Sequence, residues 1–430
     1  MVRTQFARIT PQLASECPKC HAIAAQPAEP RKRSRSLSPK GVARSSSYSM
    51  RSPVTHCDDS TAGLHHEGRA SFRVGDAFYR PTTRVVRDLG VLAAAVYRDR
   101  VGHLRVLDAM AGCGVRSLRY WLESHADFVR ANDGNPDMKA LLAENLQAAI
   151  AAGRAGITVE NAHRLFLNCY SQQDFYDLVD IDSFGTPAQY LGTALWATCL
   201  GGLLYLTSTD GRAGTGNLPR RALQAYGVYT RLHPAAHEQA LRVLIGAAQR
   251  QAAGLDRGIE PVFAYFTGST YRVLVRYVSP RVLTPQNYGF LGYCRRCGNY
   301  TRVAWHRLGR SRCACDGGDL THSGPQWLGA LHNPEWLQAM QQQAIAWGWA
   351  DRATLLAAMI AEADCPPWFF PLGEIGKRGR IDLPKRDRLL AALRDRGYRA
   401  ATACVDTQAI KTDADMQVCV EVARSLLDRE

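Results

Sequence analysis

The chain has 430 residues, 46% of them hydrophobic, which is enough for two or three domains with proper cores. No apolar run approaches the length of a membrane span, and this excludes a transmembrane protein. A formal charge of +14 points to a polyanionic partner, but residues 1–57 hold ten Lys or Arg against Glu16 and Glu29, so +8 belongs to that segment and only +6 to the rest.

Residues 1–68 read as a disordered basic tail, rich in Arg, Ser and Pro and without periodicity. Arg31-Lys32-Arg33-Ser34-Arg35 is most simply a solvated charge run. Three uses of the tail stay open: an RNA-binding arm, an organelle transit peptide, or translated sequence upstream of a start at Met50. Cys17-x-x-Cys20-His21, with Cys57, has nothing folded around it and is read as holding no metal. Thirteen cysteines without an apolar signal peptide argue for a reducing compartment, and the expected location is cytoplasmic. Cys113, Cys169 and Cys199 sit in apolar surroundings as packing residues.

Phe72 to Arg80 leads through Pro81 into a helix from about Thr83 to Arg98, with Val85, Val86, Leu89, Leu92 and Val96 on one face. Arg105 to Met110 follows as a short apolar run with Asp108 near its end, the pattern of a buried parallel strand. The turn Ala111-Gly112-Cys113-Gly114 lets the backbone approach a ligand, and the helix from Val115 points its N-terminal amides back at that turn. Asp108 and Gly112 therefore enter the cofactor-binding set. Asp127 to Asp133 is a second strand, and Asp133 ends it about 20 residues past the glycines, where a ribose-binding carboxylate belongs. The turn lacks the third glycine of a pyrophosphate site, so S-adenosylmethionine fits better than NAD.

A helix is expected over 135–150, a third strand at Ile157 to Asn161 with polar groups over an adenine, and a fourth at Tyr176 to Asp182. The turn Ser183-Phe184-Gly185-Thr186-Pro187 leaves its end. An acid followed by an aromatic at a strand end is what transfer to an exocyclic amine needs: Asp182 accepts a hydrogen bond from the NH2 and takes up its proton, and Phe184 stacks on the base. Gly201 to Asp210 is the fifth strand, and the glycine-rich loop Gly211 to Pro219 reads as a flexible lid. Helices at about 220–226 and 234–253 precede the hairpin Pro261–Phe266 and Tyr271–Val278. These units make an α/β, seven-stranded, doubly wound sheet of the class I (Rossmann-like) methyltransferase type, spanning 69–280.

Residues 281–430 read as a C-terminal α+β domain that contacts RNA, which the resemblance described below makes tRNA. Cys294-x-x-Cys297 and Cys313-x-Cys315, within an insert at 290–320, make a four-thiolate set close to zinc-ribbon spacing. A single helical stretch covers 334–363, a helix starts near Leu383, Tyr398 to Val405 is a strand, and a last helix ends the chain. Lys377-Arg378-Gly379-Arg380 suits phosphate contact.

Together the blocks LDAMAGCGVRSLRY, ANDGNPDMKALLAENL, DIDSFGTPAQYL, GGLLYLTSTDG and GYRAATACVDTQAIKT resemble the tRNA guanine-26 N2-dimethyltransferases, from about Phe72 to the C-terminus and with a bacterial-type cast. The resemblance implies that Arg87 and Arg116 help hold S-adenosylmethionine, Asp133 its ribose, and Asn161 with Ala162 its adenine, and that Asp182 is the catalytic carboxylate. It implies methylation of guanine N2 in tRNA at position 26, with the neighbouring guanine also within range of bacterial members. The family's usual Asp-Pro-Phe-Gly is here Asp182-Ser183-Phe184-Gly185, and its adenine-side Asp is here Asn161. Action on another RNA or DNA, or tRNA binding without catalysis, are the alternatives; intact Asp133 and Asp182 weigh against the last. No obligate protein partner and no membrane partner is inferred.

Overall fold

The computed structural model describes residues 63–428. The readings of the basic run, of Met50 and of the Cys17, Cys20, His21 and Cys57 set lie outside the described residues. The described chain opens on a hairpin of β1 (Leu64–Glu67) and β2 (Ala70–Arg73), so ordered structure begins within the stretch read by composition as tail. Composition hides the reason. Glu67 is buried, and its carboxylate is held by the guanidinium groups of Arg87 and Arg119. A short turn at Pro81–Thr83 then feeds α1 (Arg84–Val101), which Gly102 closes at a φ of 87°.

Strands and helices then alternate. They run β3 (Arg105–Asp108), α2 (Val115–Leu122), β4 (Phe128–Asn132), α3 (Met138–Asn145), α4 (Gln147–Ala151), β5 (Ala155–Thr158), α5 (Ala162–Ser171), β6 (Tyr176–Ile181), α6 (Leu191–Ala197) and β7 (Thr198–Ser208). After α7 (Gly211–Gly214), α8 (Pro219–Tyr226) and α9 (Ala236–Ala253), the hairpin of β8 (Gly258–Thr267) and β9 (Thr270–Val278) closes the sheet. The order is β5-β4-β3-β6-β7-β9-β8, with β9 antiparallel to both of its neighbours. This is the expected seven-stranded class I methyltransferase sheet. Its order reverses between β3 and β6, where such sheets bind ligands at their carboxyl ends.

Three local expectations change. The helix over 135–150 breaks at Leu146, whose side chain turns into the core near Gly114. The third strand ends at Thr158 because Asn161 is needed to cap α5. The glycine-rich segment after β7 is no loose lid: it folds into α7, and a Cβ on Gly214 would fall 2.5 Å from the Ala240 methyl of α9. Its glycine serves close packing.

The remainder begins with a three-stranded ribbon, β10 (Tyr288–Tyr293), β11 (Tyr300–Val303) and β12 (Thr321–Trp327), in the order β11-β10-β12. The stretch expected as one helix is two, α10 (Pro334–Ala346) and α11 (Ala350–Glu362), folded back at Gly348 with a φ of 73°. Trp336, Leu337, Met340, Leu356 and Met359 of this pair share one core with Leu89 and Leu92 of α1. The chain ends with β13 (Phe370–Pro371), α12 (Leu372–Gly379), α13 (Arg386–Asp395), β14 (Ala400–Thr402), β15 (Ala409–Thr412) and α14 (Met416–Leu427). From β15, buried Lys411 reaches Glu238 of α9 at 3.0 Å, and Arg242 binds the same carboxylate at 2.7 Å. No helix among the described residues is long and apolar enough to cross a membrane.

Candidate active site

The carboxyl ends of β3, β4 and β6, with the start of α5 and the segment before α1, enclose a cavity of about 510 Å³, within the range of small-molecule sites. Arg87, Gly112, Arg116, Asp133, Asn161, Ala162, Asp182 and Phe184 all line it. Asp108 does not. It is fully buried behind the turn, where the Ser117 hydroxyl donates to it at 2.7 Å. Burial first, and the neighbouring Asp180 carboxylate second, push its carboxyl up to about 7. Asp108 thus supports the turn from beneath and makes no contact with the cavity.

The turn works as its small residues suggest. Gly112 and Gly114 have φ of 55° and 78°, and the Gly112 amide donates to Asp133 at 2.9 Å. The Asn135 amide takes the other oxygen at 2.9 Å, so the carboxylate is fixed before any ligand arrives. Asn161 accepts from the His163 amide at 3.0 Å as the cap of α5, a task that Asn and Asp perform about equally. Cys113 is buried, and burial pushes its thiol up, consistent with packing rather than nucleophilic chemistry.

Asp182 stands between two arginines. Arg116 of α2 binds one carboxylate oxygen, and Arg272 of β9 binds the other at 2.9 Å. Burial pushes this carboxyl up, but the two guanidinium groups outweigh it and hold it at about 2. Its side chain is still 31% exposed, toward the cavity, and a carboxylate has lone pairs beyond the two that these arginines use. Beneath lie Asp180, 3.5 Å from Arg272, and the Tyr120 hydroxyl, 2.8 Å from Asp180. Burial and the Asp180 carboxylate push that phenol well up.

The turn after β6 keeps its shape without a proline. The Gly185 amide donates to the Thr209 hydroxyl at 2.8 Å, and the Thr209 amide donates back to the Gly185 carbonyl at 2.8 Å, tying the turn to the end of β7. Phe184 is 72% exposed and meets Phe78, itself 61% exposed, edge to face with ring centroids 5.1 Å apart. Two bare aromatic rings at the mouth of a polar cavity invite a planar base.

Arg272, Phe78 and Glu67 escape a reading of the sequence. Arg272 lies 90 residues beyond its partner on an antiparallel strand, and no local spacing announces that pairing. Phe78 has a signal, the run Ala77-Phe78-Tyr79-Arg80-Pro81, but a single aromatic ahead of a proline is unspecific. Arg87 lines the cavity while its guanidinium is bound to Glu67, with Nε to Oε1 at 2.7 Å.

The four cysteines converge, with all Sγ atoms within 4.8 Å of one another. Cys294 and Cys315 are 3.8 Å apart, and Cys297 and Cys313 are 3.5 Å apart. A tetrahedral zinc site with Zn–S of about 2.3 Å has edges of about 3.8 Å, so the donor set fits zinc in kind and spacing. The shorter second pair sits on a turn of the same kind as the first. Cys294 and Cys313 each donate their amide five residues on, to Asn299 and Gly318, and each accepts from a glycine four residues on, Gly298 and Gly317. Arg378, expected to contact phosphate, instead binds the Arg296 carbonyl at 2.6 Å and braces the first turn. Its neighbours Lys377 and Arg380 are exposed.

The sheet order and the ligand edge define a class I methyltransferase. Residues 65–424 match the family model described as N2,N2-dimethylguanosine tRNA methyltransferase, and the chain belongs to that family. It is 30% identical over 356 residues to the tRNA (guanine(26)-N(2))-dimethyltransferase of Aeropyrum pernix, covering 79% of this chain and 87% of that one. The enzyme of the same name from Archaeoglobus fulgidus is 29% identical, with 84% and 98% covered. Trm1 of Pyrococcus horikoshii in complex with S-adenosyl-L-methionine superposes with a TM-score of 0.73 at 26% identity, covering 84% of this chain and 99% of that one. These relatives are archaeal, and none of them supports the bacterial-type cast expected from the motifs.

Proposed function

We infer that this chain is an S-adenosylmethionine-dependent tRNA (guanine-N2)-dimethyltransferase acting at position 26. The observation that carries the reading is Asp182, an anionic carboxylate facing the cavity beside an exposed aromatic pair, in a chain of this family. When bound, the cofactor supplies an electrophilic methyl group.

The roles of individual residues are our assignment. Asp133 would hold the ribose, and Asn161 and Ala162 would border the adenine. Arg116 and Arg87, which line the same cavity, would help hold the cofactor. Phe78 and Phe184 would hold the guanine, which has to leave its stack for its amine to reach a buried site. Asp182 accepts a hydrogen bond from N2–H and directs the nitrogen lone pair away from itself. Alkylation leaves N2 cationic with both protons strongly acidic, so even a carboxylate held at about 2 takes up the one hydrogen-bonded to it. After that proton passes to solvent and the spent cofactor is exchanged for a fresh one, the second N2–H can turn toward the same carboxylate for the next methyl transfer. We read 69–280 as the catalytic part and 281–430, with the thiolate insert at 290–320, as the part that helps hold tRNA. Zinc on the four thiolates would fix the ribbon's two turns.

The test is incubation of the purified protein with unmodified tRNA and the cofactor, followed by mass mapping of each guanine. Methyl and dimethyl groups on the guanine at tRNA position 26, lost in a transcript that carries adenine there, are the expected result; label on other RNA alone would sink the reading. Modification of the neighbouring guanine would favour the bacterial-type range over that implied by the archaeal relatives.

A further inference from the structure

The basic segment singled out by sequence, Lys377 to Arg380, is partly consumed in bracing the ribbon. A different set of exposed arginines is linked, contact by contact, to the catalytic turn. Gly185 is bonded to Thr209 and Asp210 at the end of β7, and Arg212 follows two residues later on α7, exposed. Gly216 then packs directly on the backbone of Arg231, which is exposed beside Tyr229. The Arg231 amide donates to Ser323 of β12 at 2.9 Å, and Tyr229 bridges Gly324, so the ribbon is stitched to this segment. Arg231 and Tyr229 share a cleft of about 270 Å³ with Thr321 and His322, whose buried Nε2 has no partner. Thr321 in turn contacts exposed Arg295 of the first thiolate turn at 3.4 Å.

We propose that this track, Arg212, Arg231 and Arg295 with Tyr229 among them, binds the phosphate backbone of the tRNA strand leading to the target guanine. Three features support it. Neither Arg212 nor Arg231 has a carboxylate partner among the described residues, although Arg221 alongside is paired with Asp210 at 2.9 Å. Tyr229 is 44% exposed between them, and an aromatic among unpaired arginines is the chemistry that grips single-stranded or flipped nucleotides. The track also begins at the turn that carries Phe184, so a bound strand would deliver its extruded base to the cavity.

The proposal rests on the tRNA reading above. Its test compares the native chain, the triple variant R212A/R231A/R295A, the matching triple lysine variant and K377A/R380A, each titrated with tRNA by filter binding across salt concentrations, with cofactor affinity measured by calorimetry. The alanine triple should bind tRNA at least about 30-fold more weakly, with a log–log salt slope shallower by about 3, while its cofactor affinity is unchanged. The lysine triple should stay within about threefold, because charge rather than shape carries the contact, and K377A/R380A within about twofold, because those two residues lie off the track. An alanine triple binding within about twofold of native overturns the track. Native protein that binds tRNA through these arginines yet never methylates it sinks the reading of function and leaves the track standing; native protein with no affinity for tRNA overturns both.

Discussion

Two buried clusters of charge flank the cavity, and they are satisfied to different degrees. At the N-terminal hairpin, Glu67 accepts from Arg87 at 2.7 Å, Arg119 at 2.8 Å and the Tyr79 hydroxyl at 2.9 Å, and Glu123 accepts from Arg119 through both of its oxygens at 2.8 and 2.9 Å. Among Glu67, Arg87, Arg119, Glu123 and Asp88, which lies 2.7 Å from Arg119, only Asp88 leaves a buried polar atom without a hydrogen-bond partner. Under the catalytic turn, Asp108, Asp180 and Asp182 share only Arg116 and Arg272, and each of these residues except Asp182 leaves a buried atom unpartnered, as do Ser183 and Thr207. Buried charge that is almost fully paired fixes structure; buried charge left short of partners across a whole cluster beside a cavity is kept in a fold for what it does to a ligand.

The comparison makes predictions that separate stability from turnover. The largest expected effect is on catalysis. Asp182→Asn should lower kcat by about two to four orders of magnitude, while calorimetry shows cofactor binding intact and melting falls less than in the hairpin variant, because Arg116 and Arg272 keep Asp180 as a partner at 3.8 and 3.5 Å. A melting loss as large as that of the hairpin variant would erase the distinction. Next, Glu67→Ala leaves two buried guanidinium groups without their carboxylate and should cost about 3–5 kcal/mol in denaturant unfolding. The fraction still folded should turn over at close to the native rate.

Arg272→Lys sharpens the contrast within the site. With both arginines present the Asp182 carboxyl lies at about 2, below the ordinary aspartate value of about 3.9. Its contribution is therefore complete above that ordinary value and is lost only as pH falls toward 2. A lysine cannot hold both carboxylates in the same way. The acid limb of the pH–kcat profile should move upward and kcat should fall about tenfold at neutral pH; an unmoved limb would separate Arg272 from Asp182. Phe184→Ala should weaken kcat/KM for tRNA by about 5- to 100-fold, the value of one stacked base, with cofactor affinity unchanged. The smallest effect is expected for Thr209→Val, which removes one hydrogen bond to Gly185 worth about 1 kcal/mol and should lower kcat a few-fold.

Much of the sheet is legible in the sequence because its strands are short apolar runs ending in residues that line the cavity. Counting from the glycine turn places Asp133 and Asp182, and spacing places the thiolate pairs. Composition fails where polar residues are buried in pairs. Leu64-His65-His66-Glu67 looks like tail, yet Glu67 is 2% exposed. It also fails where partners are distant: Lys411 pairs with Glu238 across 173 residues, and α10 finds its core on α1. The glycines after β7 mislead because freedom and close packing use the same residue, and only the neighbouring Ala240 decides between them. Asp108 reads as a cofactor ligand because it ends its strand beside the turn, but its side chain points behind the turn to Ser117.

The Lys411 ammonium that pins β15 to α9 has an implication for how this chain can be divided. Cut after the sheet, the first portion would keep Glu238 and Arg242 while losing the third member of their triad, and would uncover the apolar wall of α1 that α10 now shields. A fragment ending near residue 280 should therefore be recovered in aggregates. Adding back the second portion in trans, not the cofactor, is what should bring it into solution.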